Sequence, residues 1–237
     1  MAGALIFSTY EDFCRQAGEH IITILKAASI HKRRSSLVLA GGSTPAGVYR
    51  YMATNYPDFH WGNIDFFLGD DRCVPETDKN SNYRMINENL FSLIPHHAEQ
   101  IYTIDQSLPP EKGAELYHKR VKNYLSTNCW FDLVLLGMGS DGHTASLFPG
   151  YPELDEKVKY AVATEIEAPM APYLRRISMT EPALKRCSHM MYLIRGEKKR
   201  GIMDSVMKEK SHHHSALNYP IAHIKPDAGK SYWYYTV

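Results

Sequence analysis

The sequence has no apolar run long enough to span a bilayer, no C-x-x-C pair and no excess of either charge sign. Each absence excludes something. A spanning helix needs roughly 20 consecutive apolar residues, so membrane-spanning helices are not expected. The first stretch, Met1 to Phe13, lacks a basic segment and meets Glu11 and Asp12, which does not read as a secretory leader. Lys and Arg number 27 against 26 Asp and Glu, for a formal net charge of +1. Such a chain offers no general field to nucleic acid or an anionic membrane, and only a local basic pocket stays open. Cys14, Cys73, Cys129 and Cys187 stand far apart in a chain of 237 residues that can bury a core without staples. Reduced thiols and a cytoplasmic location are therefore expected. H-E-x-x-H is absent, and the His212 to His214 tract matches no zinc ligand spacing, so a polar loop is expected there and no metal.

What is present is a globular mix, 44 % hydrophobic and 22 % charged, which excludes disordered and fibrous classes. Ser8 to Glu11 reads as a capping box before Phe13, Ala17, Ile21, Leu25 and Ala28, which recur at helical spacing. Leu37 to Ala40 reads as a buried strand, and Pro45 as the first residue of the next helix. The same alternation predicts strands at 64–68, 131–136, 176–180 and 190–194, and helices at 83–93, 110–125 and 197–207. Ser231 to Val237, rich in Tyr and Trp, reads as an edge strand. Continuous apolar strands between amphipathic helices imply an α/β fold with a mostly parallel sheet covered on both faces. No repeat or linker divides it, so one domain over 1–237 is expected.

In such sheets ligands bind beyond the carboxyl ends of the strands, and three polar clusters fall at such ends. Gly41-Gly42-Ser43-Thr44 joins a strand to a helix start, where free N–H groups favour an anion. It is neither G-x-x-x-x-G-K-[ST] nor G-x-G-x-x-G, and a tight turn with an N-cap is the ordinary alternative. In Gly69 to Pro75, Arg72 suits an anionic substrate and Asp70 or Asp71 could orient it or a neighbouring base, with a solvated loop and surface ion pair the more frequent alternative. The richest stretch is Gly137 to Gly150. Here His143 offers an imidazole able to take a proton from water, and Asp141 stands two residues away to hold its tautomer. Arg176 and Lys199 add cations after later strands, with a solvated helix face as the alternative for the lysine. Gly142 to Ser146 is not G-x-S-x-G, so no serine nucleophile is expected.

Leu39 to Pro45, Phe67 to Pro75, Asn80-Ser-Asn-Tyr83 and Asp132 to Gly150 together resemble the motif set of the 6-phosphogluconolactonases, in the same order. Arg176 to Thr180, Gly196 to Lys199 and the ending from Pro220 to Trp233 are similar to that family too. The resemblance implies a Rossmann-like fold shared with glucosamine-6-phosphate deaminases, and hydrolysis of 6-phospho-D-glucono-1,5-lactone without metal or organic cofactor. It further implies His143 as general base, Asp141 as its orienting partner, and Gly41, Gly42, Ser43, Thr44, Asp71, Arg72, Arg176 and Lys199 around the sugar phosphate. Asp71 stands where the family commonly has Glu. A small sugar-phosphate lactone is then the only partner expected, with the chain a monomer or small homo-oligomer. Two other readings stand beside this one. A deaminase-isomerase would carry Glu five residues after the loop histidine, where this chain has Phe148. A non-catalytic sugar-phosphate sensor would share the pocket, but no DNA-reading segment accompanies it here.

Overall fold

The computed structural model describes residues 4–31, 34–166, 175–208 and 219–237. The expected connection from Glu167 to Leu174 and the His212–His214 tract lie outside them. Ten strands and seven helices are described. In chain order they are β1 (Leu5–Phe7), α1 (Tyr10–His31), β2 (Ser35–Leu39), α2 (Ser43–Asn55), β3 (Ile64–Leu68), β4 (Asp70–Arg72), α3 (Asn82–Asn89) and β5 (Ile101–Tyr102). There follow α4 (Pro110–Asn128), β6 (Phe131–Gly137), β7 (Ala161–Glu165), β8 (Arg175–Met179), α5 (Glu181–Leu184), β9 (Cys187–Arg195), α6 (Arg200–Lys208), α7 (Pro220–His223) and β10 (Lys230–Thr236).

Seven strands form one sheet in the order β1-β10-β9-β6-β2-β3-β5, and every pairing in it is parallel. Side chains of adjacent strand residues point to opposite faces. Phe66 of β3 meets Phe91 just after α3, while Phe67 meets Tyr124 of α4. Helical segments therefore cover both faces, and all five residues of β2 and of β3 are buried. Numbering runs outward from β2 through β3 to β5, then returns to β6 on the other side. That reversal is a switch point, where the strand ends splay to leave a crevice.

A second sheet was not anticipated. After β3 the chain passes through Gly69 and pairs as β4 with β8, which pairs with β7, both antiparallel. Gly69 connects the two sheets, donating its N–H to Leu39 and accepting from Met179 N. Ile177 and Met179 of β8 belong to the same hydrophobic cluster as the main sheet.

Other expectations need correction. β10 is no edge strand: it lies between β9 and the three-residue β1, because Trp233 stacks on Tyr192 and Tyr234 on Phe7. The cap of α1 is Thr9, one residue after the one expected, since Thr9 Oγ1 accepts from Asp12 N at 3.1 Å. α2 begins at Ser43, two residues before Pro45. α3 stops at Asn89, with a separate 3₁₀ turn at Phe91–Leu93. Among the described residues no helix is long and apolar enough to cross a membrane.

Candidate active site

A cavity of about 220 Å³ opens at the β2/β6 switch point. The turn after β2 lines it with Gly41, Gly42, Ser43 and Thr44. Strand β4 contributes Asp70 and Arg72, and β8 contributes Arg176. His143 enters from the loop after β6, and Lys199 from the 3₁₀ turn before α6. Of the expected site residues, eight therefore share one cavity, and Asp141 touches it through His143.

The glycine turn is shaped for close approach. Gly42, the N-cap of α2, has φ 91° and supplies no side-chain cap. The first amides of that helix are accordingly left for an external acceptor, in the place where a helix favours negative charge. Behind them Tyr10 Oη donates to Thr44 O at 2.8 Å and accepts from Gly47 N at 3.1 Å, fixing the turn from α1.

The cations are set by strand register. Arg72 and Arg176 are direct cross-strand partners in the β4–β8 ladder. Like charges directly opposite one another destabilise a sheet, so the pairing concentrates positive charge at the cavity wall at a cost to the ladder. Arg176 is only 6 % exposed. Burial pushes its guanidinium below the ordinary value, Asp70 pulls it back up, and Arg72 pushes it further down. Its guanidinium lies 5.4 Å from the centre of the Phe148 ring. Burial likewise lowers Lys199, against the charge of Asp141.

The histidine side is built within one loop. His143 Nδ1 and Asp141 Oδ1 are 2.5 Å apart, and the same oxygen accepts from His143 N at 3.2 Å. Burial raises the Asp141 carboxyl, but the hydrogen bond and charge of His143 bring it below its usual value. A carboxylate at Nδ1 places the ring proton there and the lone pair on Nε2. The imidazole stacks on Phe148 at 4.1 Å. Gly139 is required by this packing, since a Cβ there would lie 2.2 Å from the ring. Gly137 to Gly142 also has G-x-G-x-x-G spacing, but the loop opens no helix, so the pyrophosphate site of that fingerprint is missing.

Asp71 departs from expectation. It does not line the cavity and is 1 % exposed. Its oxygens accept from Arg72 N, Asn82 N and Tyr83 N at 2.8, 2.6 and 3.1 Å, and from Ser81 Oγ at 3.1 Å. With its lone pairs taken it caps α3 and cannot bind substrate. Burial pushes its carboxyl up to about 6, against the backbone hydrogen bonds. Sequence reasoning assigned no role to Asn82 or Ser146, and gave Asp70 only the general one of a carboxylate that could orient Arg72 or a base. Ser146 Oγ donates to Asp70 Oδ2 at 2.6 Å, and Asn82 Nδ2 to Asp70 O at 2.9 Å. The adjoining Asp70-Asp71 and Ser81-Asn82 pairs were visible in the sequence, but nothing local shows that they meet.

Fold and cavity together define a Rossmann-like α/β protein with a cationic, glycine-lined cavity beside a carboxylate-bound histidine. The chain belongs to the glucosamine-6-phosphate isomerase/6-phosphogluconolactonase family, whose model matches residues 8–233. It is 36 % identical over 205 residues to the 6-phosphogluconolactonase of Thermotoga maritima, covering 86 % of this chain and 88 % of that one. The Haemophilus influenzae 6-phosphogluconolactonase is 34 % identical over 198 residues, covering 83 % of this chain and 82 % of that one. The crystal structure of the Thermotoga maritima lactonase superposes with a TM-score of 0.84 at 31 % identity, covering 99 % of this chain and 100 % of that one.

Proposed function

We propose that this chain hydrolyses 6-phospho-D-glucono-1,5-lactone to 6-phospho-D-gluconate, with His143 as general base and no metal. The lactonases it is similar to support the substrate. The observation that carries the mechanism is the 2.5 Å bond from Asp141 to His143 Nδ1, which leaves Nε2 as the basic nitrogen in a cavity shared with Arg72 and Arg176. His143 takes a proton from water as the water oxygen adds to the lactone carbonyl carbon. Collapse of the adduct breaks the ring C–O bond, and the imidazolium returns its proton to the departing ring oxygen. The ester is already activated, so no covalent nucleophile is needed.

The α2 N-terminus at Gly42, Ser43 and Thr44, with Arg72, Arg176 and Lys199, holds the phosphoryl group, and this anchorage orients the carbonyl towards the base. These cations supply the positive charge a metal would bring, and they would repel a divalent ion. The deaminase reading needs a carboxylate where Phe148 stands. Phe148 is fully buried and packs on both His143 and Arg176. All four cysteines are free thiols, which supports a cytoplasmic enzyme, and the core shared by both sheets supports a single domain.

The test is an initial-rate assay on fresh phosphorylated lactone, corrected for spontaneous opening. A rate well above background that survives a strong chelator is expected. No acceleration refutes the reading, ammonia released from glucosamine 6-phosphate replaces it with deamination, and a rate lost to the chelator and restored by a divalent ion refutes metal independence.

A further inference from the structure

We propose that Asn82 is the positioning residue of the phosphate site: its carboxamide aims Arg72 at the substrate while seating the first glycine of the α2 turn. This rests on the lactonase reading and adds to it a residue that lines the same cavity and acts there through Arg72 and Gly41. Asn82 is the first residue of α3 and 2 % exposed. Its N–H donates to Asp71 Oδ1 at 2.6 Å, so the buried carboxylate that does not reach the cavity fixes the backbone of Asn82 instead.

The side chain has one possible sense. Nδ2 donates to Asp70 O at 2.9 Å and to Asp70 Oδ1 at 3.2 Å, while Oδ1 accepts from Arg72 Nη1. Turning the amide over would set donor against donor at Arg72 and acceptor against acceptor at Asp70. Arg72 Nη1 also donates to Asn80 O at 3.2 Å, whereas its Nε is buried without a partner. Asn82 and Asn80 thus both hold the guanidinium at a single nitrogen, Nη1. That restraint matters because Arg176 stands opposite Arg72 in the ladder and pushes it away. The same carboxamide lies against Gly41, where a Cβ would come within 2.1 Å of it. One neutral side chain therefore touches both the arginine and the glycine turn, without touching His143.

The test is steady-state kinetics of Asn82→Ala, with Asn82→Ser as a second variant that suits the first turn of a helix. Losing a hydrogen bond to a charged group should raise KM for the phosphorylated lactone about ten- to a hundredfold. The inhibition constant of 6-phosphogluconate should rise in parallel while kcat changes little. Arg72→Ala should reproduce this, and the double variant should fall well short of the summed losses, since only the Gly41 contact then remains for Asn82 to lose. Additive losses, or a fall in kcat with unchanged KM, overturn the role of Asn82. A wild-type chain that fails to accelerate lactone opening overturns the functional reading instead, so the two failures are distinguishable.

Discussion

The two sides of the cavity are built differently. The histidine side is local: His143 and Asp141 are two residues apart on one loop, bonded to each other and both partly open, with side chains 25 % and 32 % exposed. The cationic side is assembled from distant segments: the end of β2, strands β4 and β8, the first turn of α3 and the turn before α6. Its charges are held by ladder register and buried hydrogen bonds, so its geometry depends on the fold being complete. Substitutions on the first side should damage the chemical step and spare folding. Those on the second should weaken capture and, deeper in, change stability.

The sharpest test of that asymmetry is His143→Ala. Loss of a general base lowers kcat by ~10²–10⁴-fold, and because no cation is disturbed, KM and product affinity should stay near wild type. A variant with unchanged kcat would remove His143 as base. Asp141→Asn is expected to cost nearly as much, again within ~10²–10⁴-fold in kcat. An amide can turn its NH₂ towards Nδ1, which moves the ring proton to Nε2 and blocks proton uptake there. If Asp141→Asn instead raised KM alone, the division between the two sides would fail.

That division also explains what could be read from the sequence. The parallel sheet was legible because its central strands are buried on both faces and carry continuous apolar runs, as in Phe131 to Leu136. β1, β4 and β5 were not, being two or three residues long. β10 was misplaced because aromatic residues suit either position, and only the pairing of β1 with it shows that it is interior. In the site, the Asp141–His143 pair was visible because both partners sit within one short motif. The opposition of Arg72 and Arg176 was not, because it follows from a ladder between segments about a hundred residues apart. Asp71 was misread for the same reason: an acid beside an arginine after a strand looks like a ligand until the helix it caps is in place.

On the cationic side, Lys199→Ala should raise KM about tenfold, the worth of one charge-assisted contact, with kcat nearly kept. Lys199 lies on a short turn and accepts no duty in the ladder, so its removal should leave the melting temperature close to wild type. An unchanged KM would exclude it from phosphate capture, and a large fall in kcat would assign it to the histidine side.

The smallest effect on activity, and the one that reaches deepest into the fold, is expected from Asp71→Asn. Burial holds the native carboxyl up to about 6, whereas in the unfolded chain it titrates near its ordinary value of about 4. Between those values the native state binds more protons than the unfolded one. Asp71 therefore makes stability fall as pH rises through that window, by about 3 kcal/mol in all, and contributes no further slope above it. Asparagine does not titrate, so the variant should lose that fall. Plotted against pH, the stability difference between wild type and variant should decline from about pH 4 to 6 and then level off, whatever the other carboxylates contribute to both. The amide oxygen can keep both Oδ1 bonds, from Arg72 N and Asn82 N, and a donor is turned only towards Tyr83 N and Ser81 Oγ, so KM should rise less than for Lys199→Ala. Denaturant midpoints at pH 4.5 and 6.5 decide the matter. Parallel curves for the two proteins would mean that Asp71 carries no unusual proton, and that the cationic side is braced by hydrogen bonds whose strength does not depend on its ionisation.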